Sequence, residues 1–298
     1  MEERLRLHAI SAAGETLDTL ALLHVADAPY AALLFHPHPR MGGNVYDIVT
    51  SSIARRLQDG GMASTLRFNM VPLWGRSYRE VADDANAALA NAAVDLLSER
   101  MTQASAKTAT CHVALVAYSF GSVVASNLFT RKEICAVALI SPPLAIDEAA
   151  WRIPARFAAW HGPSLLLAAQ HDQYAPNTVV SLRRSLPSMP DAPRPVVAIV
   201  PGVDHFYSYA AADSVSKTVA SWLVALPRTP PAEVTWRAHT MLGPSHASLA
   251  LFLVLLVVAT MVRRAVRGAA GCAAHGDSST QPGRFTCTTS HQHDCTLV

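Results

Sequence analysis

The first 226 residues alternate between stretches with strand-like and helix-like hydrophobic periodicity. Short apolar runs, and short runs in which apolar and polar residues alternate, predict strands, whereas apolar side chains three and four residues apart predict helices. The predicted strands are Glu3–Ile10, Leu17–Val25, Tyr30–Phe35, Ala63–Phe68, Val113–Val116, Ala136–Ile140, Ser164–Ala169 and Val196–Val200. The predicted helices are Val45–Leu57, Tyr78–Leu97, Ser122–Thr130, Asn177–Leu186 and Ser214–Leu226. Asn44 is expected to cap the first of these helices, and Gly60 to end it.

The order of these elements predicts an α/β fold. The first two strands are joined by the turn A-A-G-E and are expected to form an antiparallel hairpin. The later strands are too apolar for a sheet with one wet face, and they alternate with helices. This alternation predicts a mostly parallel sheet with helices on both faces. Ligands of such sheets bind beyond the carboxyl ends of the strands, so every strand–helix junction is a candidate site.

The pattern changes after residue 226, which is the expected end of a folded domain, residues 1–226. Residues 227–244 contain P-R-T-P-P-A-E and are interpreted as a proline-containing linker. Residues 245–262 carry no formal charge, and as a helix they span about 27 Å, close to the thickness of a thin hydrocarbon core. Leu249 to Val258 is apolar on every face, so we expect a transmembrane helix rather than an amphipathic one. Residues 263–298 form a basic flank and a tail with the composition of a disordered segment.

Composition and charge narrow the classes of protein. The chain is 51% hydrophobic and 15% charged, which is more apolar than an ordinary soluble domain. Its net charge of +2 provides no electrostatic footprint for nucleic acid, so no nucleic-acid partner is expected. Five cysteines without framework spacing argue against a disulfide-stapled secreted protein. The N-terminus has charges and no long apolar core, which is not the pattern of a secretory signal.

A serine stands at the junction between the predicted strand Val113–Val116 and the next helix. The stretch A-Y-S-F-G, residues 117–121, approaches the G-x-S-x-G elbow that exposes a nucleophilic serine. Small residues are needed on both sides because the strand and the helix come close together there. Gly121 meets this need, and Ala117 adds one methyl group. By itself the motif is equally compatible with a Ser119 that only caps the helix.

Two later junctions favour a catalytic serine. Q-H-D places Asp172 after one buried strand, and V-D-H places His205 after the last. A neutral imidazole can take the proton of a serine hydroxyl, and a carboxylate can hold that imidazole in the required tautomer. The order Ser119, Asp172, His205 is that of hydrolases built on parallel sheets. Asp147 is an alternative acid because it follows the preceding strand, and Asp204 is interpreted as a loop residue.

The stretch F-H-P-H-P-R-M-G-G-N, residues 35–44, follows an early strand. Acyl transfer needs two backbone N–H groups directed at the developing oxyanion. One is expected from Phe120, and the other from this loop, where the prolines have no N–H. His38 is therefore the first choice and Arg40 the second. A metal pair of His36 and His38 is disfavoured because no third ligand stands nearby, so neither a metal nor a cofactor is expected.

These motifs resemble the α/β-hydrolase superfamily, in particular its small dienelactone-hydrolase-like subgroup with H-P-H-P followed by G-G. Further matching motifs are R-F-N at 67–69, G-R-S at 75–77, S-F-G at 119–121, S-P-P-L at 141–144 and D-H-F at 204–206. The resemblance covers nearly all of residues 1–226. It implies an α/β-hydrolase fold with Ser119, Asp172 and His205 at the triad positions.

The sequence departs from this subgroup in two places. Ala117 replaces the usual glycine, and M-V-P-L-W, Met70 to Trp74, replaces a glycine-bearing turn and is expected to add bulk near the pocket mouth. A minimal lid is expected because no connection is long enough for a lid domain. The aromatic stretch from Leu144 to Gly162, with Trp151, Phe157 and Trp160, is either an acyl-binding wall or a helix that packs its own aromatics.

Together these observations predict a serine hydrolase that cleaves small-molecule carboxylic esters or thioesters through an acyl-enzyme, with a preference for lipophilic acyl groups. The alternatives are a serine peptidase of the same fold and a catalytically silent scaffold held at a membrane. A single C-terminal span predicts a domain on the cytosolic side of the mitochondrial outer membrane or the endoplasmic reticulum. The span is followed by Arg263, Arg264 and Arg267. Because basic residues favour the cytosolic side of a membrane, these arginines favour the opposite orientation. Acylation of Cys272 would also require that opposite orientation.

Overall fold

The computed structural model describes residues 2–72, 81–104, 113–144, 153–157, 160–174 and 195–226. Its strands are β1 (Glu3–Ile10), β2 (Thr16–His24), β3 (Ala31–Phe35), β4 (Ser64–Phe68), β5 (Val113–Tyr118), β6 (Ile134–Ile140), β7 (Ser164–Ala169) and β8 (Val196–Val200). Its α-helices are α1 (Ile48–Asp59), α2 (Asn86–Ala104), α3 (Phe120–Ala125) and α4 (Tyr209–Val224). Shorter helical turns are Pro39–Met41, Val81–Ala85, Ser126–Leu128 and residues 153–157.

The strands form one eight-stranded sheet in the order β1-β2-β4-β3-β5-β6-β7-β8. The pairs β1–β2 and β2–β4 are antiparallel, and every other pair is parallel. This is the predicted mostly parallel sheet with an antiparallel N-terminal hairpin. Because β3 to β8 are parallel, their carboxyl ends all lie along one edge of the sheet.

Helices cover both faces of the sheet, and each face has its own hydrophobic core. Leu33 and Phe35 belong to the core packed against α2 and α3, whereas Ala32 and Leu34 belong to the core packed against α1 and α4. Successive strand residues point to opposite faces, so a strand between two cores needs apolar side chains throughout. Every residue of β3 is apolar and buried, and so is every residue of β5. The uninterrupted apolar runs of the inner strands have this physical cause. The expectation that β8 is also buried was wrong: β8 lies at the edge of the sheet, and Val196 and Ile199 are 51% and 54% exposed.

The start of α1 differs from the predicted start. The helix begins at Ile48, and the Asp47 carboxylate caps it by accepting two backbone N–H groups of the first turn, each at 3.1 Å. The expected cap was therefore wrong: Asn44 accepts the N–H of Tyr46 at 2.8 Å and closes a turn before the helix. At the other end, Gly60 is the C-cap residue, as predicted.

Two other helices begin earlier than their hydrophobic pattern indicated. The helix predicted from Ser122 starts at Phe120, directly after the serine of the elbow. The helix predicted from Ser214 starts at Tyr209, where the side chain of Ser208 accepts a backbone N–H of the first turn. The predicted helix 177–186 lies outside the described residues.

The described aromatic residues between β6 and β7 are part of the core. Phe157 and Trp160 are 3% and 6% exposed, and both rings pack on Phe129, at centroid distances of 5.9 and 6.0 Å. Arg156 fixes the segment by donating to Ser126 Oγ at 2.8 Å. Of the two alternatives for this stretch, internal packing is therefore correct for Phe157 and Trp160. Trp151 lies outside the described residues.

Within the described part of the chain, no helix is long and apolar enough to cross a membrane. The linker, the expected span at 245–262 and the tail lie outside the described residues. Their assignment therefore stays a prediction from the sequence.

Candidate active site

Ser119 occupies a sharp turn between β5 and α3. Its φ of 52° and ψ of −123° are unusual for a residue with a side chain. The backbone is held there by a hydrogen bond of 2.8 Å from the Ser119 N–H to Ile140 O, at the end of the neighbouring strand β6. The side chain of Ser119 makes no hydrogen bond with α3. The alternative of a purely capping serine is therefore wrong.

The small residues of the elbow have a geometric cause. A Cβ atom on Gly121 would lie 2.7 Å from both Cβ and the carbonyl oxygen of Phe35, and 2.8 Å from His36 O. The start of α3 thus packs directly on the backbone at the end of β3, where no side chain fits. Ala117 lies in β5, pairs with Phe35 of β3 and is fully buried. Its methyl group fits the core, which explains why glycine is not required there.

The structure brings the three predicted side chains into one hydrogen-bonded chain. Ser119 Oγ lies 2.8 Å from His205 Nε2, and His205 Nδ1 lies 2.8 Å from Asp172 Oδ1. Exposure of the three residues is 7%, 4% and 4%. A carboxylate only accepts, so Nδ1 donates to Asp172, and Nε2 accepts from the serine hydroxyl. This is the arrangement in which an imidazole can act as a base toward a serine.

Among the described residues, Asp172 is the carboxylate that bonds His205. Asp172 Oδ1 also accepts the N–H of Tyr174 at 3.0 Å, which fixes the carboxylate. Its Oδ2 is buried and has no hydrogen-bond partner within the described residues. Asp204 accepts the N–H of Phe206 at 3.0 Å and is a loop residue, as predicted. Asp147 lies outside the described residues.

His36 holds the loop after β3 in place. Its Nδ1 lies 2.6 Å from Pro37 O, and its Nε2 accepts the N–H of Met70 at 2.9 Å. Burial lowers the pKa of His36 to about 4, so the imidazole is neutral and Nε2 can accept. Gly43 completes the loop because a Cβ atom there would lie 2.1 Å from Pro37 O. Both ring nitrogens of His36 are occupied, which leaves neither to bind a metal.

His38 lies beside the serine turn, with its ring 4.6 Å from the ring of Phe120. The N–H of Arg40, the second candidate oxyanion donor, donates to His38 Nδ1 at 3.1 Å. This bond engages the Arg40 N–H, and the pair of Phe120 and His38 stays the oxyanion-hole prediction from the sequence. Among the described residues, no group of three or more His, Cys, Asp or Glu side chains is placed to hold a metal ion.

The R-F-N motif at 67–69 fixes the chain before α1. Arg67 Nη1 donates to Val45 O at 2.9 Å, and Asn69 Oδ1 accepts the Val45 N–H at 2.8 Å. Arg67 is only 6% exposed, and its guanidinium also donates to Ser51 Oγ at 2.7 Å. These residues hold the backbone between the loop after β3 and helix α1.

The expected bulk at the pocket mouth is only partly described. Met70 is buried in the core, and the backbone of Val71 is bonded on both sides by Asn86, at 2.8 and 3.0 Å. These two residues belong to the scaffold. Leu73 and Trp74, which carry the rest of the expected bulk, lie outside the described residues.

A second group of polar side chains, which the sequence did not predict, lies behind the serine and the histidine. Tyr118 donates to the carbonyl oxygen of His205 at 2.5 Å, and Ser141 Oγ lies 2.8 Å from the hydroxyl of Tyr207. All three side chains are buried. In the sequence, Tyr118 and Ser141 are polar residues at the ends of two neighbouring buried strands, but this position does not indicate which residues they bond.

No protein-family model matches the chain, and no curated protein sequence matches it. Solved structures do. A serine hydrolase without a lid from Xanthomonas campestris is 20% identical with a TM-score of 0.55, covering 76% of this chain and 97% of that one. A dienelactone hydrolase from Anabaena variabilis is 16% identical with a TM-score of 0.54, covering 74% and 96%.

The esterase domain of a Rhodothermus marinus protein is 18% identical with a TM-score of 0.52, covering 74% of this chain and 97% of that one. At these identities the likeness concerns the fold. It agrees with the order and direction of the strands described above. The chain therefore has the α/β-hydrolase fold, with an eight-stranded sheet that is parallel except at its N-terminal edge.

Proposed function

We propose that the protein is a serine hydrolase that cleaves carboxylic esters or thioesters through an acyl-enzyme. Ser119 is the nucleophile, His205 the base and Asp172 the acid that orients the base. The observation that carries this proposal is the hydrogen-bonded chain Ser119 Oγ–His205 Nε2, His205 Nδ1–Asp172 Oδ1, with 2.8 Å at each link. A serine hydroxyl is a weak nucleophile unless such a base removes its proton.

In the acylation step, Ser119 Oγ attacks the carbonyl carbon of the substrate while its proton passes to His205 Nε2. The electron pair of the carbonyl bond moves onto the oxygen. The backbone N–H groups of Phe120 and His38 stabilise the resulting oxyanion. When the tetrahedral intermediate collapses, the bond to the alcohol or thiol breaks, and His205 returns the proton to the leaving group.

In the deacylation step, a water molecule loses a proton to His205 and attacks the acyl carbon. The second intermediate collapses to the free acid, and the proton returns to Ser119 Oγ. Asp172 stays ionised throughout and stabilises the imidazolium that forms in each half-reaction.

Aromatic and apolar side chains near His205 and His38 favour lipophilic acyl substrates. The rings of Tyr174 and Phe206 lie 4.8 and 5.6 Å from the His205 ring. Phe206 is 51% exposed although it is large and apolar, and Met41, close to His38 in the chain, is 55% exposed. Such side chains gain free energy by contact with an apolar acyl or alcohol group.

The first test is labelling of the full-length chain with a fluorophosphonate probe, which reacts with activated serines. The wild type is expected to be labelled, and Ser119→Ala is expected to lose the label. Ser52→Ala, which removes a half-buried serine of α1, serves as the matched control and keeps it. Equal labelling of wild type and Ser119→Ala, or labelling of neither, would contradict the proposal.

A series of p-nitrophenyl esters of increasing acyl length, with matching thioesters, then defines the substrate class. We expect turnover of esters or thioesters that is lost in Ser119→Ala. Hydrolysis of short peptides without hydrolysis of any ester would instead identify a peptidase.

A further inference from the structure

The loop that carries His205 must run along the carboxyl edge of the sheet, past two other strands, to bring His205 to Ser119. Ser119 follows β5, whereas His205 follows β8, and β6 and β7 lie between these strands. With neighbouring strands about 4.8 Å apart, the loop after β8 spans roughly 14 Å across that edge. A loop that extends so far needs contacts along its path if its imidazole is to stay within hydrogen-bond distance of Ser119.

The first contacts lie at the end of β7. The N–H of His171 donates to Val203 O at 2.8 Å, and the N–H of Gly202 donates to Gln170 Oε1 at 2.8 Å. Gly202 has a φ of 68°, which marks the turn that directs the chain back over the sheet. These bonds hold the first part of the loop above β7.

The next contacts follow the loop across β6 and β5. At the end of β6, Ser141 Oγ lies 2.8 Å from the Tyr207 hydroxyl and also accepts the N–H of Ala169 at 3.3 Å. At the end of β5, the Tyr118 hydroxyl donates to His205 O at 2.5 Å. The ends of β7, β6 and β5 therefore each provide at least one attachment, and the attachment at β5 joins Tyr118, the residue before the nucleophile, to His205 itself.

Backbone strain is concentrated at the same attachments. Among the residues that the structure describes, the non-glycine residues with positive φ are Ser119, Ser141 and Tyr207, at 52°, 44° and 38°. Residues with side chains adopt this region only where their surroundings hold them there. All three lie on the path from the nucleophile to the histidine loop.

The two tyrosines are suited to lasting hydrogen bonds. Tyr118 and Tyr207 are each 2% exposed, and burial raises the pKa of both phenols far above its ordinary value. Both hydroxyls therefore keep their protons. A carbonyl oxygen only accepts, so the Tyr118 hydroxyl must be the donor to His205.

We propose that Tyr118, with the Ser141–Tyr207 pair, forms a positioning network that fixes the His205 imidazole against Ser119. These residues do not touch the reacting atoms and act through the backbone of the histidine loop. The inference rests on the proposed function, because it assumes that His205 is the base. It adds the residues that keep the base within hydrogen-bond distance of a nucleophile that follows β5, three strands away from β8.

The test uses Tyr118→Phe in the full-length chain, a change that removes one hydroxyl and keeps the ring. We expect kcat on a p-nitrophenyl ester to fall about 10-fold per titrated active site, with KM changed by less than about 2-fold, because misplacing a base slows the chemistry rather than binding. Ser141→Ala, which removes the other attachment, is expected to act in the same direction. Tyr209→Phe is the matched control, since Tyr209 is 70% exposed, and it should keep the wild-type kcat.

A wild-type kcat per titrated site in both Tyr118→Phe and Ser141→Ala would overturn the inference, even if their melting temperatures fell. That result would assign the hydroxyls to fold stability alone. Failure of the proposed function is distinct from this result, because it would appear in the wild type, as the absence of Ser119-dependent labelling.

Discussion

At the scale of single residues, the neutral state of His36 holds two loops together. Nε2 accepts the Met70 N–H and Nδ1 bonds Pro37 O, so a protonated ring would lose its acceptor toward Met70. The residue is 2% exposed, which makes an added charge costly. His36, for which the sequence already disfavoured a metal pair with His38, thus bonds the backbone of both loops.

This arrangement predicts a loss of stability in acid. The pKa of His36 is lowered from 6.5 to about 4, so as pH falls through this window the unfolded chain takes up a proton and the native chain does not. The stabilisation that neutral His36 gives the native state is complete above pH 6.5 and is lost as pH falls toward 4. We expect the free energy of unfolding to fall by about 2.5 kcal/mol from this group between about pH 7.5 and about pH 4.5.

Urea unfolding followed by tryptophan fluorescence at both pH values measures the change. His36→Gln should lose this part of the pH dependence, whereas His161→Gln, which removes a histidine outside this loop, should keep it. An unchanged pH dependence in His36→Gln would show that the ring does not stay neutral.

At the scale of elements, the contact between the end of β3 and the start of α3 sets the geometry of the serine turn. Gly121 lies against the backbone of Phe35 and His36, whereas Ala117 packs its methyl group into the core. The two positions that flank Ser119 therefore differ in what they tolerate. The position after the serine has no room for one methyl group, and the position before it already contains one.

Substitutions at these two positions are expected to act differently. Gly121→Ala places a Cβ 2.7 Å from Phe35 O and must displace α3 or β3. We expect its rate of fluorophosphonate labelling to fall at least about 100-fold, because a displacement near 1 Å is enough for such a loss. Ala117→Val overpacks the core and should also abolish labelling. Ala117→Gly is the control and should label within about 3-fold of the wild type.

The labelling rate is compared per folded molecule, with the folded fraction taken from circular dichroism. Wild-type labelling of Ala117→Val or of Gly121→Ala would contradict the close approach of the two elements at the turn.

At the scale of the whole molecule, the parallel sheet places the ends of distant chain segments on one edge. Ser119, Asp172 and His205 follow β5, β7 and β8 and still form one hydrogen-bonded chain. The proposed membrane span is a separate feature of the chain. It rests on the uncharged residues 245–262.

Truncation tests the proposed span. The full-length chain and a chain ending at residue 262 should stay with membranes after alkaline carbonate extraction, because both keep the apolar run. A chain ending at residue 244 should be released into the soluble fraction. Release of the full-length chain would contradict a transmembrane segment. With intact organelles, external protease should digest the hydrolase domain, and its protection would reverse the proposed orientation.

The sequence predicted the central elements well because their environment leaves few alternatives. β3, β5, β6 and β7 lie between two cores, so nearly all of their residues are apolar and the strands stand out from the rest of the sequence. Helix starts were less predictable. Ser208 and Asp47 act as caps because the preceding loop places them at the helix start. Hydrophobic periodicity contains no information about the path of that loop.

By itself the sequence determined the fold class, the elbow around Ser119 and the strand ends that bear Asp172 and His205. Such features depend on local periodicity and on residue types next to a strand end. Only the tertiary structure decided that Phe157 is core and that Tyr118 and Ser141 support the histidine loop. These relations depend on the lateral order β5-β6-β7-β8, which fixes the strands that a loop must cross and leaves no mark in the spacing of residues along the chain.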